Sequence, residues 1–238
     1  MRHFFLIMAV GAIGCAAQAN ELPLNQRLIV ACHHVDVDGV VAALRQGADV
    51  NGSFGEGDTK VFQDPWSNGW PIAGNAWTPL IALASASKYP DPPRKIENTS
   101  EDLNWAREQQ QKIPAATLEK RKRDALAILS VVLSHKADID ADDGYGATSL
   151  YETIYLKKDE MAKVLLRFGA KVNTKTGIYI DGSGDVTPLH RAYWSAELTK
   201  LLLDKGADPK AKDTAGETPL DWAKLHGDPA VVRLYKLS

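Results

Sequence analysis

The sequence predicts an all-α solenoid, about five helix–turn–helix units stacked in a row and joined by hairpin loops. Three observations carry this prediction. One helix-ending signal recurs four times. One helix-starting signal also recurs four times. The two alternate, and the spacing between equivalent positions is 31 residues from Thr187 to Thr218 and 33 from Lys136 to Gly169.

The helix-ending signal is carried by "RQGADVN" (45–51), "SHKADID" (134–140), "RFGAKVN" (167–173) and "DKGADPK" (204–210), each following an apolar helical run. Three have glycine (Gly47, Gly169, Gly206) where a left-handed cap is wanted, because glycine has no Cβ to clash there. The fourth has Lys136 and is expected to carry strain. The helix-starting signal is Thr-Pro-Leu at Thr78, Thr187 and Thr218, with the weaker Thr148-Ser149-Leu150. Threonine accepts a backbone hydrogen bond at an N-cap. Proline at the first helical position loses nothing, since its missing N–H would have no helical partner anyway. The leucine begins the buried face.

These signals resemble ankyrin repeats, whose period is about 33 residues. Leu28 to Asn51 and Leu150 to Asn173 follow the family's helix–turn–helix–loop pattern without a gap. The repeats fall at about Leu24–Asn51, Thr78–Asp140, Thr148–Asn173, Thr187–Lys210 and Thr218–Ser238. The first lacks a Thr-Pro-Leu start and the last stops after its second helix, as terminal repeats that face water do. The histidine of the family motif survives only at His190, where the resemblance implies a structural bond to the adjoining turn.

The chain departs from the pattern in three places. The hairpin after the first repeat is enlarged (about 52–77) and rich in Gly, Pro and Trp. The second repeat is split by an insertion (about 88–123), in which "NTSEDLNWAREQQQKI" reads as an extra helix capped by Thr99 or Ser100. The repeat resumes near Asp124. A smaller extension, "TKTGIYIDGSGDV", suggests a short strand at Ile178–Ile180.

The first 19 residues differ in kind. Arg2 is followed by an apolar run from Phe4 to Ala17, and Ala17-Gln18-Ala19 supplies the small residues of a cleavage site. The run is too short to span a membrane and reads as a secretory signal cut after Ala19, leaving residues 20–238 as the repeat domain. The alternative is lipidation at Cys15, where Ala12 stands in place of the usual leucine. A periplasmic or secreted location follows from either. After cleavage Cys32 is the single cysteine, so no internal disulfide is expected.

Composition narrows the partner. Hydrophobic residues make up 45% and charged residues 24%, and 28 basic residues face 30 acidic ones. That balance gives no reason to expect nucleic acid. No nucleophile elbow, His-Glu-x-x-His zinc motif, P-loop or dinucleotide fingerprint is present, and neither an enzymatic activity nor a cofactor is expected. Cys32-His33-His34 could suggest a metal or redox cluster. In register with the family, Cys32 falls on a small buried position and the two histidines at an exposed helix end, and no further ligand motif follows. Asp181 to Asp185 suggests a calcium loop but lacks the closing glutamate. "EKRKRD" (119–124) reads as a solvated helix start.

The aromatics are more informative. Trp222 is expected in the core. Trp66, Trp70 and Trp77 lie on the enlarged loop, Tyr145 and Tyr179 on hairpins, and Trp194 in a shortened turn. The resemblance implies that hairpins and first helices form a concave binding face. Trp66, Trp70, Tyr145, Tyr179 and Trp194 are therefore the expected contacts for a protein partner. The competing reading is that some of the Trp residues fold the loop back as a satellite core. With the export signal, the resemblance implies an interaction module of the cell envelope. It would act as an inhibitor or immunity protein against a toxin reaching the periplasm, or as an accessory supporting an oxidative-stress enzyme.

Overall fold

Short amphipathic segments punctuated by caps fold here as helix pairs. The structure, a computed structural model, describes residues 22–53, 77–86, 111–177, 184–226 and 228–235. The chain divides into two units, Met1–Ala137 and Asp138–Ser238. In the first, α1 (Leu24–His34) pairs with α2 (Val37–Arg45), and α3 (Pro79–Ser85) with α4 (Ala115–Ser134). α1 lies against α3 and α2 against α4, giving two layers. Leu28, Ile29, Val40, Leu83, Ile128 and Leu129 fill the space between them and are fully buried. α3 is apolar all round and correspondingly buried from Pro79 to Ala84.

The second unit repeats the scheme. α5 (Ser149–Tyr155) pairs with α6 (Asp159–Arg167), α7 (Pro188–Arg191) with α8 (Ala196–Asp204), and α9 (Pro219–His226) with α10 (Pro229–Leu234). A 3-10 turn, Ala192–Trp194, extends α7. The inner row is α5, α7 and α9; the outer row is α6, α8 and α10. Leu150, Ile154, Leu165, Leu166, Leu189 and Leu202 close the core between the rows. Among the described residues there is no strand, only an isolated bridge between Asp142 and Thr148.

The caps explain where the inner helices start. The Oγ1 atoms of Thr78, Thr148, Thr187 and Thr218 accept the N–H three residues on, at 3.3, 3.4, 3.4 and 3.3 Å. Each such cap contributes about 1 kcal/mol. The outer helices use other caps: Asp36 for α2, Ser195 for α8 and Asp228 for α10.

The helix ends are equally regular. Gly47, Lys136, Gly169 and Gly206 all have positive φ, at 89°, 64°, 91° and 85°. At each, the N–H bonds back three residues, and the following alanine N–H bonds back five (Ala48 to Ala43, Ala137 to Val132, Ala170 to Leu165, Ala207 to Leu202). This is the Schellman arrangement. Nothing lies within 4 Å of a Cβ built on the three glycines, so the demand there is conformational and not steric. Lys136 meets the same demand with a side chain, as expected from its place in the pattern. Lys136→Gly therefore stabilises the protein by about 0.5–1 kcal/mol, the relief of left-handed strain less the extra freedom glycine gives the unfolded chain. Urea titration of the two proteins measures it.

Asparagine and aspartate link neighbouring pairs within each unit. Asn51 Nδ2 donates to the Lys136 carbonyl at 3.3 Å, and Asn173 Nδ2 to the Gly206 carbonyl at 3.0 Å. Asn173 Oδ1 also accepts the Asp208 N–H, and Asp140 Oδ1 the Lys171 N–H, at 2.9 and 2.8 Å. After Gly47, Lys136 and Gly169, the residue four places on (Asn51, Asp140, Asn173) thus satisfies the next loop's backbone.

Two expectations are corrected, and for one tryptophan an open alternative is decided. His33 is buried (6% exposed) instead of lying at an exposed end, because α3 runs along α1; its Nδ1 lies 3.4 Å from the Ala82 carbonyl. Trp77 is core at 3% exposure, with its ring 5.7 Å from that of His33, so for this tryptophan the packing reading holds. Asp124 lies inside α4, which already begins at Ala115. The basic run is therefore helical throughout, and Arg121 Nη1 reaches the His34 carbonyl at 2.8 Å instead of being only solvated. Residues 1–19, Trp66, Trp70, the helix expected from Thr99, the strand at 178–180 and Tyr179 lie outside the described residues.

Candidate partner-binding face

The inner row of the second unit presents its side chains from short helices whose starts are set by threonine. On α5, Tyr151 and Tyr155 are four residues apart and share one face, their rings nearly parallel with centroids 6.4 Å apart. On α7, Arg191 follows His190 and reaches across to them. Its Nε donates to the Tyr151 hydroxyl at 2.8 Å. Its guanidinium carbon lies 4.8 Å from the Tyr155 ring centre, 5.6 Å from that of Tyr151, and 5.0 Å from that of Trp222 on α9. One guanidinium therefore joins rings from two neighbouring helices, each contact worth about 0.5–2 kcal/mol depending on exposure.

The surroundings hold this cluster in place. Trp222 is half-buried, packed against Ala147, Tyr151 and Val186. Its Nε1 donates to Asp213 Oδ2 at 2.9 Å. It was expected wholly in the core, but one side faces Arg191. His190 is fully buried beneath it. Its Nδ1 accepts the Thr187 N–H at 3.1 Å, so its proton sits on Nε2, which donates to the Glu217 carbonyl at 3.2 Å. Burial lowers its pKa and keeps it neutral. That is the structural role the motif implied.

The hairpins stack beside the inner row. Asp143 Oδ1 accepts from Tyr145 and Ala147, and Asp213 Oδ1 from Ala215 and Glu217, so two hairpins are built alike. Each hands a backbone bond to its neighbour: the Tyr145 carbonyl accepts the Gly177 N–H, and the Gly184 carbonyl the Thr214 N–H.

Of the residues singled out in the sequence, Tyr145 is 42% exposed on its hairpin. Trp194 is half-buried, with Lys157 Nζ 5.6 Å above its ring. Tyr145 precedes the N-cap of α5, whereas Trp194 ends the turn after α7, so they lie toward opposite ends of the inner helices. The sequence reading missed Arg191, Tyr155 (52% exposed) and, on α9, Leu225 (67%), which stand in the last turns of their helices. The signal was present as the Tyr151/Tyr155 spacing and as an arginine directly after the motif histidine.

Titration at this face centres on Glu152 of α5. Burial pushes its pKa up to about 7, aided by the nearby Asp143 charge and opposed by Lys158 and Arg191. A carboxyl raised above its ordinary value of about 4.3 binds its proton more tightly in the folded chain. Its contribution is therefore most favourable below pH 4 and is lost as pH rises towards 7. Glu152→Gln raises the thermal midpoint at pH 8 and has little effect at pH 4; melting curves at the two pH values measure the difference. Asp221 shifts the other way, held down to about 2 by Thr218. The Thr218 hydroxyl and N–H both donate to its Oδ2, at 2.7 and 3.1 Å.

In the first unit, burial raises the Cys32 pKa, which suits a packing role better than a reactive thiolate. Among the described residues no three His, Cys, Asp or Glu side chains converge as a metal-ligand set. No described helix is long and apolar enough to cross a membrane.

Comparison with known proteins agrees with this geometry. The ankyrin repeat family model matches residues 185–214, the segment that contains α7 and α8. The chain is 34% identical over 105 residues to Ankyrin repeat and SOCS box protein 11 of Danio rerio, covering 43% of this chain and 33% of that protein. It is 33% identical over 109 residues to Ankyrin repeat and SOCS box protein 9 of Mus musculus, covering 45% and 35%. A match to Rabankyrin-5 of Homo sapiens, 31% identical over 115 residues, covers 43% of this chain and 9% of that protein. The matched region thus spans about a third of the first two relatives. The family match, the relatives and the recurring capped helix pairs together support the ankyrin-repeat family for this chain.

Proposed function

We propose that this chain is an exported protein–protein interaction module that grips a partner protein with the inner row of its second unit and the adjoining hairpins. Ankyrin repeats generally mediate protein–protein interaction. The observation that carries the reading further is the aromatic face around Arg191. Tyr, Trp and Arg are the residues in which interface energy concentrates. Here they are already held in place, and Tyr155 and Leu225 stand exposed beside them. The apolar run and Ala17-Gln18-Ala19 at the N-terminus support export to the periplasm. In that compartment the module acts as an inhibitor or immunity protein against a delivered toxin, a role that rests on the compartment and on family analogy.

The test is a co-purification from periplasmic extract using residues 20–238 as bait. A stoichiometric partner is expected on the unaltered chain and is lost from the Tyr155→Ser/Leu225→Ser double variant. Equal recovery on both overturns the assignment to this face. Amino-terminal sequencing of the cell-derived protein is expected to begin at Asn20.

A further inference from the structure

Resting on that reading of the inner face, we propose that Arg191 is its charge anchor and selects an aspartate or glutamate side chain of the partner protein, set among apolar residues. The guanidinium carries five N–H donors, and among the described residues only Nε is occupied, by the Tyr151 hydroxyl. Three rings limit its freedom to turn. A guanidinium held in one plane loses little rotamer entropy when a carboxylate docks on its remaining donors, and the two-pronged fit favours a carboxylate over a point acceptor.

Among the described residues no carboxylate comes within ion-pairing distance of Arg191. Asp213, on the Trp222 side, is already engaged by the Trp222 Nε1 and by two N–H groups of its own hairpin. On the α5 side Glu152 feels the Arg191 charge, yet its burial favours the protonated form up to about pH 7. Lys157 and Lys158 add positive charge at the turn that ends α5. Arg191 is thus a charged group of this face with no ion-pairing carboxylate among the described residues, so its complement is an acid. Tyr155, 52% exposed over the guanidinium, supplies the apolar contact that flanking residues of the partner would cover. A basic partner segment would meet repulsion here. A nucleic acid would need a longer cationic track than one arginine and two lysines.

Selection from a phage-displayed library of ~15-residue peptides, on the immobilised full chain, tests the proposal. The expected result is enrichment of peptides with Asp or Glu beside aliphatic or aromatic residues. Their synthetic forms, with acetylated and amidated ends, should bind in solution. Arg191→Gln is expected to weaken them by about tenfold or more, and Arg191→Lys by less. Tyr151→Phe keeps the packed ring and removes only the hydroxyl that orients Nε, so it is expected to weaken binding with little change in melting temperature. This keeps the test valid if the Arg191 variants are unstable. Binding should also fall as salt is raised from about 0.15 to 0.5 M.

Enriched peptides without an acid, or acidic peptides that bind Arg191→Gln and Tyr151→Phe as well as the parent, overturn the anchor. If those peptides still depend on Tyr155 and Leu225, the inner face survives as the binding surface and only its charge selectivity falls. If no peptide is enriched, or only ones insensitive to all four positions, both readings fall. Binding of single-stranded DNA of matched charge in place of the acidic peptides also overturns the proposal.

Discussion

Leu202→Ala lowers the unfolding free energy by about 2–5 kcal/mol. Leu202 lies on α8, fully buried, where that helix meets α6, α10 and the inner row. Truncation removes apolar contacts on several sides at once. The cavity cannot collapse easily, because the Leu202 carbonyl is tied to the Ala207 N–H in the helix-ending motif. In stacked repeats each layer rests on its neighbours, so the loss also weakens the interfaces on either side. Phe168 is the control. It is the larger side chain but is 61% exposed, and Phe168→Ala changes stability by less than about 0.5 kcal/mol. Guanidinium titration distinguishes them. Equal effects for the two variants would mean that α8 does not sit between rows as described.

Gly146→Ala is expected to destabilise by about 2–4 kcal/mol, whereas Gly206→Ala costs only about 1 kcal/mol. Both glycines have positive φ, 78° and 85°. Gly206 has open space around a built Cβ, so its substitution adds conformational strain alone. At Gly146 the same atom would overlap the backbone carbonyl oxygen of Lys175 and crowd the Thr176 Cα and Gly177 N. Those are backbone atoms of the next hairpin segment and cannot swing aside as a flexible side chain would. Separating the segments would break the bond from the Gly177 N–H to the Tyr145 carbonyl. Gly146→Ala is therefore also expected to lower the affinity of any partner that touches Tyr145. Binding and stability measured on the same preparation check both consequences. A Gly146→Ala protein no less stable than Gly206→Ala would rule out the close hairpin stacking.

The fold was far more legible than the site. Thr78, Thr148, Thr187 and Thr218 cap helices where the motif placed them, and the four left-handed helix ends fall at Gly47, Lys136, Gly169 and Gly206. Caps and left-handed turns depend on a few adjacent residues, so a short string contains most of the relevant physics. His33 was misjudged, and Trp77 was left open between packing and binding, because their burial comes from α3 lying along α1, a contact between residues far apart in the chain. Arg191 went unnoticed for the same reason. Its rings come from residue 151, residue 155 and residue 222, and no local pattern brings them together.

Determined by the sequence alone, then, were the helix starts at the four threonines, the four recurring helix ends, the repeat spacing and the strained position of Lys136, because these follow from backbone preferences within a turn or two. Only the tertiary structure decided which aromatics face outward and which guanidinium they hold. It also decided which glycine has a neighbour's carbonyl against it. Those outcomes depend on how successive helix pairs align side by side, and that alignment is a property of the packed rows, not of any one segment.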